Sequence, residues 1–481
     1  MDFEPVIGLE IHAQLLTASK IFCGCSTQFG APPNTHVCPV CLGFPGALPV
    51  LNARAVEYAI KAALALGCEI QPTSIFARKN YFYPDLPKGY QISQYERPIA
   101  LTGRLAYETD EATIDVGIHR VHMEEDAGKL VHEGFPDADR ASFVDYNRAG
   151  VPLIEIVTEP DLRSASTAAD FFGRLRAILM TLGVNDGNME EGSLRCDANV
   201  SVRPVGETKL GVKAEVKNVN SFRFLQKALE YEIERQIALV KNGERVRQET
   251  RLWDAAAGRT IAMRSKEEAH DYRYFPEPDL PPLVVAADVV ERVRATLPEL
   301  PEARKQRLIA SYGLPAYDAG VLTQSMPLAD YFEAVARDAG NAKAASNWVM
   351  GEVMRKMRAE DVEIDAVKVP PAQLAALIRL VDGGRINGPT AKDVFEKMYA
   401  TGRGPDEIVQ AEGLAQIDDE AAVVEMIAGV LAQNADAVAS YRAGKTSTFG
   451  FLVGQVMKAA AGKANPKLVN ALLRRELDRP Q

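Results

Sequence analysis

Several segments of this chain alternate apolar and polar side chains with a period of two, and this alternation constrains the fold more than any other feature. The polar members are Glu10, His12 and Gln14 in residues 9–15, then Arg195, Asp197, Asn199 and Ser201 in residues 194–203, and Lys213, Glu215 and Lys217 in residues 211–217. Successive side chains on a strand point to opposite faces, so each segment predicts a strand with one buried and one polar face. Two further strands are predicted, at residues 114–118, which lead into residues 122–126, and at residues 153–159.

The polar faces of these strands have two interpretations. An antiparallel sheet often has one face in water, and alternation alone indicates no more than that. The residue types favour a ligand-binding site. His, Asn, Gln and Asp stand beside carboxylates in these strands, whereas a solvated face would carry long Lys and Glu side chains. If the strands are neighbours, the following residues converge: Glu10, His12, Glu124, Glu125, Glu155 and Asp197. Converging carboxylates repel unless they are protonated or bridged by a cation, and oxygen ligands with one imidazole suit Mg²⁺ or Mn²⁺ better than zinc. The ammonium groups of three lysines, Lys79, Lys213 and Lys217, would suit the binding of phosphate groups.

A proline-rich segment at residues 275–282 divides the chain. All six cysteines and all six histidines precede residue 280, and neither a helix nor a central strand tolerates this proline density. The remainder has helical spacing and is punctuated by Gly and Pro, most clearly at residues 402–406. With 481 residues the chain is too long for one hydrophobic core. The predicted fold class is α+β: an N-terminal domain with a large antiparallel sheet and flanking helices (1–292), an all-α helical domain (293–405) and a small all-α tail (406–481).

The charge of the chain is unevenly distributed. The net charge is −10, yet residues 441–481 carry eight basic and two acidic residues, whereas residues 401–440 carry one basic and eight acidic residues. The basic segment would suit contact with a phosphate backbone, and a solvated helical face is the other interpretation. No apolar run reaches the length of a membrane span, and no signal segment precedes the first predicted strand, so a cytoplasmic location is expected.

Four cysteines form two close pairs, Cys23 with Cys25 and Cys38 with Cys41, separated by 12 residues. This spacing predicts a Cys₄ zinc site, which would be structural because a closed site leaves no open coordination position. Free cysteines or a redox pair are the alternatives. Cys68 and Cys196 lie in apolar patterns and are expected in the core.

Residues 76–95 interleave aromatic side chains with Arg78, Lys79 and Lys88. Such a stretch can stack on unpaired bases while its cations meet phosphates. Aromatic strands in a sheet core look similar, so both interpretations remain open.

Several long segments together resemble one family. They are residues 6–12, 78–88, 122–129, 150–161, 189–199 and 271–279. In this order and spacing they are similar to the B subunits of bacterial aspartyl/glutamyl-tRNA amidotransferases, over essentially the whole chain and most strongly over residues 1–285.

The resemblance implies a cradle-shaped catalytic domain that binds ATP, Mg²⁺ and the acceptor end of tRNA, then a helical domain and a tail that contacts tRNA. By position it implies Glu10, His12, Glu125 and Glu155 as catalytic and metal-binding residues, with Glu124 as a further metal ligand. The candidate contacts to substrate and ATP are Lys79, Tyr81, Glu191, Asp197, Lys213 and Lys217. The implied reaction is ATP-dependent activation of the glutamate or aspartate side chain on tRNA(Gln) or tRNA(Asn), followed by amidation.

The ammonia for such a reaction is expected from another chain, because no Gly-Gly-Ser-Ser-Gly amidase run is present. The resemblance implies an amidase-like glutaminase A subunit and a small C subunit in a heterotrimer. Two other functions are considered. A tRNA-binding zinc module would not need clustered carboxylates, and a metal-dependent hydrolase would act without ATP.

Overall fold

A computed structural model describes residues 2–109, 112–132, 137, 140–263, 272–415, 420–460 and 464–479. Asp271, which begins one of the family-like segments, and residues 416–419, 461–463 and 480–481 of the charged C-terminal segments lie outside the described residues. Two compact units are present, Met1–Glu302 and Ala303–Gln481.

All of the strands among the described residues lie in the first unit. They are β1 (Phe3–Gln14), β2 (Glu69–Ile70), β3 (Thr73–Ser74), β4 (Phe76–Asn80), β5 (Tyr90–Gln94), β6 (Ala100–Glu108), β7 (Thr113–Glu125), β8 (Lys129–Val131), β9 (Phe143–Asp145), β10 (Pro152–Thr158), β11 (Leu194–Pro204), β12 (Ala214–Lys217), β13 (Thr250–Asp254), β14 (Arg259–Ala262), β15 (Phe275–Pro276) and β16 (Leu283–Val284). Its helices are α1 (Ala53–Ala65), α2 (Ala165–Thr181), α3 (Phe222–Lys241) and α4 (Ala287–Arg294).

Among the described residues, nine strands form the main sheet in the order β14-β13-β12-β11-β1-β10-β7-β6-β2. The five segments predicted as strands with a polar face are neighbours in this sheet, in the order β12-β11-β1-β10-β7, and the α+β fold is confirmed. The sheet is antiparallel apart from β12 and β13, which pair in parallel. This parallel pair arises because the long helix α3 connects the two strands and returns the chain to the same edge.

The apolar face of the main sheet packs against helices. Ser164 and Ser221 cap the N-termini of α2 and α3, where their side chains accept hydrogen bonds from Thr167 N and Phe224 N. Phe171 and other apolar residues of α2 join the apolar residues of the central strands in one buried cluster. Because one face is fully covered in this way, the polar residues of the same strands are directed to the other face.

A smaller sheet, in the order β15-β4-β5, carries much of the aromatic stretch. Phe275 of β15 pairs with Arg78 of β4, and Lys79 pairs with Gln91 of β5. This sheet places Lys79 and the tyrosines that follow residue 271 near one another.

The second unit is helical in the part that the structure describes. Its helices are α5 (Pro301–Tyr312), α6 (Ala316–Leu322), α7 (Met326–Ala339), α8 (Ala342–Trp348), α9 (Met354–Glu360), α10 (Pro371–Asp382), α11 (Gly388–Thr401), α12 (Pro405–Ala411), α13 (Glu420–Gln433), α14 (Ala435–Arg442), α15 (Thr448–Ala459) and α16 (Pro466–Leu477), with a π-helical segment at Val349–Val353 and a 3₁₀ turn at Ile364–Ala366.

The break between helices that Gly and Pro predicted at residues 402–406 is observed in the second unit. Gly402 terminates α11 in the left-handed conformation, with φ of 73°, and Pro405 begins α12. Two separate hydrophobic clusters form, one within residues 308–409 and one within residues 423–477.

No single helix of the described residues is long and apolar enough to cross a membrane. One bent pair, Glu420–Gln433 with Ala435–Arg442, meets the criteria of length and composition jointly, with a bend of 93° between the two helices.

Candidate functional site

Three polar side chains lie in one row across the centre of the main sheet. His12 of β1 pairs with Glu155 of β10, and Glu155 pairs with His122 of β7. The Oε2 atom of Glu155 is 3.2 Å from His12 Nε2 and 3.4 Å from His122 Nε2. One carboxylate therefore lies between two imidazoles that are 110 residues apart in sequence.

Glu124 adds a second carboxylate to this row, because it lies two residues after His122 and so on the same face of β7. Its oxygens are 3.7 Å from His122 Nε2 and 4.0 Å from His12 Nε2, and Ser93 donates a hydrogen bond of 3.1 Å to Oε2. One ligand atom each from His12, Glu124 and Glu155 lie within 4.8 Å of one another. We call these three residues the His–Glu cluster.

Glu155 and His122 each stabilise the charged form of the other. Burial would raise the pKa of the Glu155 carboxyl, but the adjacent His122 and His12 imidazoles outweigh burial and hold that pKa well below its usual value. Burial would lower the pKa of His122, but Glu155 and Glu124 raise it to about 9. The pKa of Glu124 is lowered as well, so both carboxylates are ionised and available to a cation, which His12 can bind once its imidazole loses its proton.

Lys79 faces the cluster from the smaller sheet. Its Nζ is 4.8 Å from the ring centre of Tyr272 and 6.0 Å from that of Tyr81. Burial would lower the pKa of the Lys79 ammonium, but the field of Glu124 and Glu155 outweighs burial and raises it. Lys79 therefore keeps its positive charge, and an ammonium beside an acidic cluster is suited to contact an anionic ligand that the cluster binds through a cation.

Aromatic rings extend from Lys79 towards the surface. Tyr272 contacts Tyr81 and Tyr274 edge to face, with ring centres 6.0 Å apart in both pairs, and Tyr274 stacks on Tyr95 at 4.1 Å. Tyr95 is 46% exposed, so the outermost ring of the series is open to solvent.

A second group of charges lies on the same face, towards β12. Lys217 Nζ is 2.8 Å from Asp197 Oδ2 and 3.1 Å from Glu215 Oε1, and Asn199 donates a hydrogen bond of 2.9 Å to Glu10 Oε1. Burial raises the pKa of Glu10, and the nearby carboxylates of Glu155 and Glu215 raise it further. Glu10 is therefore a neighbour of the His–Glu cluster and not one of its members.

Glu125 corrects the prediction that all six acidic and histidine candidates converge. It follows Glu124 directly on β7, and successive residues of a strand point to opposite faces. Its oxygens accept hydrogen bonds from Lys88 Nζ and, at 2.9 Å, from Ile92 N. The ion pair with Lys88 is nearly inaccessible to solvent, and it places Glu125 apart from His12 and Glu155.

Two of the remaining candidates also lie outside the cluster. β12 begins at Ala214, so it is shorter than predicted, and Lys213 precedes it as an exposed residue. Glu191 is exposed in the loop before β11, where its N–H donates a hydrogen bond to Asn188 Oδ1.

Sequence reasoning did not select His122 or Arg195. His122 is 3% exposed, and its Nδ1 atom has no hydrogen-bond partner among the described residues. Arg195 lies opposite His12 in the register and is 3.1 Å from Asp126 Oδ1, and Gln14 donates a hydrogen bond of 2.7 Å to the other oxygen of Asp126. The signal was present for both, because His122 is two residues from Glu124 and Arg195 is two residues from Asp197.

The four cysteines come together as their spacing predicted. One sulfur each from Cys23, Cys25, Cys38 and Cys41 lie within 4.8 Å of one another. The Sγ atoms of Cys38 and Cys41 are 3.9 Å apart, close to the edge of roughly 3.8 Å expected for a tetrahedron of sulfurs about 2.3 Å from a zinc ion. The donor set therefore fits Zn²⁺.

The consecutive residues Glu124 and Glu125 provide a matched pair for testing the cluster. We expect Glu124→Gln to weaken binding of Mn²⁺ by at least about 10-fold, because it removes one of the carboxylates near the ion. Glu125→Gln should leave the Mn²⁺ affinity within about twofold of the wild type, since its side chain is on the other face. Titration of the full chain with Mn²⁺, followed by electron paramagnetic resonance, measures both. Equal losses in the two variants would contradict the assignment of the ligand face.

The chain is similar to known proteins over its whole length. Residues 5–291 match the family model of the GatB/GatE catalytic domain, and residues 330–477 match that of the GatB domain. A protein of Thermodesulfovibrio yellowstonii is 57% identical over 473 residues, which cover 98% of this chain and 99% of the relative. Relatives from Myxococcus xanthus and an Anaeromyxobacter species are 56% and 59% identical, each covering 99% of both chains. All three are named as the B subunit of an aspartyl/glutamyl-tRNA(Asn/Gln) amidotransferase.

Proposed function

The chain belongs to the family of aspartyl/glutamyl-tRNA(Asn/Gln) amidotransferase B subunits, and from that premise we propose how its residues serve the reaction. It is a subunit of a glutamine-dependent carbon–nitrogen ligase. The proposed reaction is ATP-dependent activation of the side-chain carboxylate of glutamate on tRNA(Gln) or aspartate on tRNA(Asn), followed by amidation to glutamine or asparagine. The observation that carries this proposal is the His–Glu cluster beside Lys79 on the polar face of the main sheet.

The chemistry explains why ATP is needed. Ammonia cannot displace oxide from a carboxylate. When a carboxylate oxygen attacks the γ-phosphorus of ATP, the bond from that phosphorus to the β–γ bridging oxygen breaks and ADP leaves. The product is an acyl phosphate. Ammonia then attacks the acyl carbon, phosphate leaves, and the nitrogen loses a proton to give the amide. The demand on the protein is positioning and neutralisation of phosphate charge.

In this proposal His12, Glu124 and Glu155 hold Mg²⁺, which when bound would neutralise charge on the phosphate oxygens. His122 fixes Glu155 from its second side, at 3.4 Å. Lys79 binds phosphate, and Tyr81 and Tyr272 form the wall that keeps its ammonium beside Glu124. Glu10 is held by Asn199 next to the cluster.

Lys217 and Asp197 are proposed contacts to ATP or to the charged end of the tRNA. Their ion pair of 2.8 Å lies on the same face as Glu10, and Lys217 retains its charge because Asp197 and Glu215 raise its pKa against the effect of burial. The proposed metal and phosphate site leaves out Glu125, which accepts a hydrogen bond from Lys88, and the exposed Glu191 and Lys213.

The proposal also covers the domains, the zinc and the partners. Residues 1–292 would form the catalytic domain, residues 293–405 the helical domain and residues 406–481 the tRNA-binding tail, whose basic residues would contact phosphates. Zn²⁺ on the four cysteines would be structural.

The relatives' name implies partner subunits. We infer a glutaminase A subunit that supplies ammonia and a small C subunit. The complex would assemble in the cytoplasm, where ribosomes use the charged tRNA.

The proposed reaction is tested with this chain assembled with its A and C partners. Mischarged glutamyl-tRNA(Gln) is supplied with free ammonium, with and without ATP and Mg²⁺. Glutaminyl-tRNA should form only when both are present. Tight tRNA binding with no amide under any condition would identify the chain as a recognition module. Release of free glutamate from the tRNA without ATP would identify a hydrolase.

A further inference from the structure

Lys20 is fully buried, at 0% exposure, and is the only lysine buried to this extent in the described part of the chain. Burying an ammonium is unfavourable unless hydrogen bonds and an opposite charge compensate for lost water. The position of Lys20 therefore requires an anion.

The three protons of the Lys20 ammonium have three acceptors. Nζ is 2.8 Å from the carbonyl oxygen of His36, 3.2 Å from that of Tyr146 and 3.6 Å from Cys41 Sγ. Carbonyl oxygens carry no net charge, and within the described residues Lys20 forms no ion pair with a carboxylate. Cys41 is thus the contact that supplies a negative charge, as a thiolate.

A zinc ion bound by four thiolates has a net charge of about −2, and hydrogen bonds from neighbouring donors to the sulfurs stabilise such a centre. Building on the zinc site of the proposed function, we propose that Lys20 is the positioning residue of the tetracysteine centre. It compensates the charge of the centre and orients Cys41.

Lys20 also connects the cysteines to the strand that carries the acidic residues. Ile21 N donates a hydrogen bond of 2.9 Å to Gly150 O, and Gly150 N donates one of 2.9 Å to Asp126 O. A Cβ atom at Gly150, where φ is 86°, would be 3.4 Å from Lys20 Cδ and 3.5 Å from Cys41 Cβ. Lys20 therefore lies where the cysteine segment meets the end of β7.

A metal on the cysteines would restrain the segment between β1 and α1. β1 ends at Gln14 and α1 begins at Ala53, and the described residues between them form no helix or strand. A segment of this length without regular structure needs other restraints to hold one conformation. The four sulfurs and Lys20 supply them from inside the segment.

The test measures zinc in the full chain, assembled with its partner subunits, for the wild type and for Lys20→Met. Zinc content is determined after dialysis, and the rate of transfer to a chromogenic chelator is followed. We expect Lys20→Met to lose zinc at least about tenfold faster than the wild type. Lys61→Met is the matched control, because Lys61 is partly buried and, like Lys20, donates to a backbone carbonyl, that of Leu182 at 2.7 Å. Its rate should equal that of the wild type.

A spectroscopic measurement separates a role at the thiolates from a loss of fold. In the Co²⁺-substituted protein, the sulfur-to-cobalt charge-transfer bands should shift in Lys20→Gln. This variant has a neutral side chain that retains hydrogen-bond donors. It replaces Lys20→Met if that variant does not fold. Unchanged bands and an unchanged release rate in both variants would overturn the role of Lys20. A wild-type protein that binds no zinc would overturn the zinc centre itself, and the proposal with it, while leaving amide formation to be judged by its own assay.

Discussion

Glu155→Gln should reduce both tRNA-dependent ATP cleavage and amide formation by roughly 10²–10³-fold or more while the affinity for tRNA stays close to that of the wild type. The reason is geometric. Glu155 Oε2 lies between His12 Nε2 and His122 Nε2, at 3.2 and 3.4 Å, so its charge organises both imidazoles and the proposed cation. Glutamine keeps the shape of the side chain but removes that charge. Steady-state assays of the assembled enzyme, with ammonium as nitrogen donor, measure the loss independently of the glutaminase.

Glu159→Gln is the matched control for this experiment. Glu159 follows the end of β10, its side chain is 47% exposed, and it contacts His119 at the surface. It should cleave ATP at the wild-type rate within about twofold, because exposed pairs of this kind contribute little. Normal ATP cleavage in Glu155→Gln would contradict the assignment of the cluster. Loss of tRNA binding in that variant would instead indicate that the polar face is chiefly a recognition surface.

Glu232→Ala should lower the free energy of unfolding of the N-terminal unit by about 3–5 kcal/mol. Glu232 lies on α3 with 0% exposure. Its Oε1 accepts hydrogen bonds from Arg235 and, at 2.9 Å, from Gln236, and its Oε2 accepts one of 2.9 Å from Thr260 and is 3.2 Å from Arg251. Removing this carboxylate takes the closest anion from Arg235 and one of two neighbouring anions from the buried Arg251, which then pairs with Glu249. Because β13 and β14 are attached to α3 through these contacts, that edge of the sheet should be lost first.

Thermal and urea unfolding of the full chain, followed by circular dichroism, measure this effect. Glu230→Ala is the control, since Glu230 is on the same helix, is exposed and accepts one hydrogen bond from Gln226. It should change the free energy of unfolding by no more than about 0.5 kcal/mol. If both variants unfold alike, the buried network contributes no more than a surface residue does.

Local pattern was sufficient to predict the strands that build the site. The alternation of Glu10, His12 and Gln14 with apolar residues follows from the period of a strand, and the observed strand Phe3–Gln14 has that burial. The spacing of the four cysteines likewise determined that their sulfurs can meet. Gly402 and Pro405 determined where one helix ends and the next begins, because each restricts φ in its own way.

Local pattern could not determine which candidates meet. Glu124 and Glu125 are consecutive residues of the same type, so local sequence does not distinguish them. Only the register of β7 with β10 decides that Glu124 faces His12 while Glu125 faces Lys88. Local pattern did not identify His122 for the same reason. Its place beside the cluster depends on Glu155, which is 33 positions away in sequence and pairs with it across the sheet. The predicted strand at residues 211–217 was also too long, and Lys213 was consequently placed on a face that it does not reach.

The sequence by itself therefore determined the alternation in the strands that carry the polar face, the cysteine quartet and the break between helices at residues 402–405, all of which depend on neighbouring residues. Only the tertiary structure decided the strand order, the members of the His–Glu cluster and the burial of Lys20. These depend on pairings between residues far apart in the chain, which are selected by burying one face of the whole sheet at once and are not encoded in any single segment.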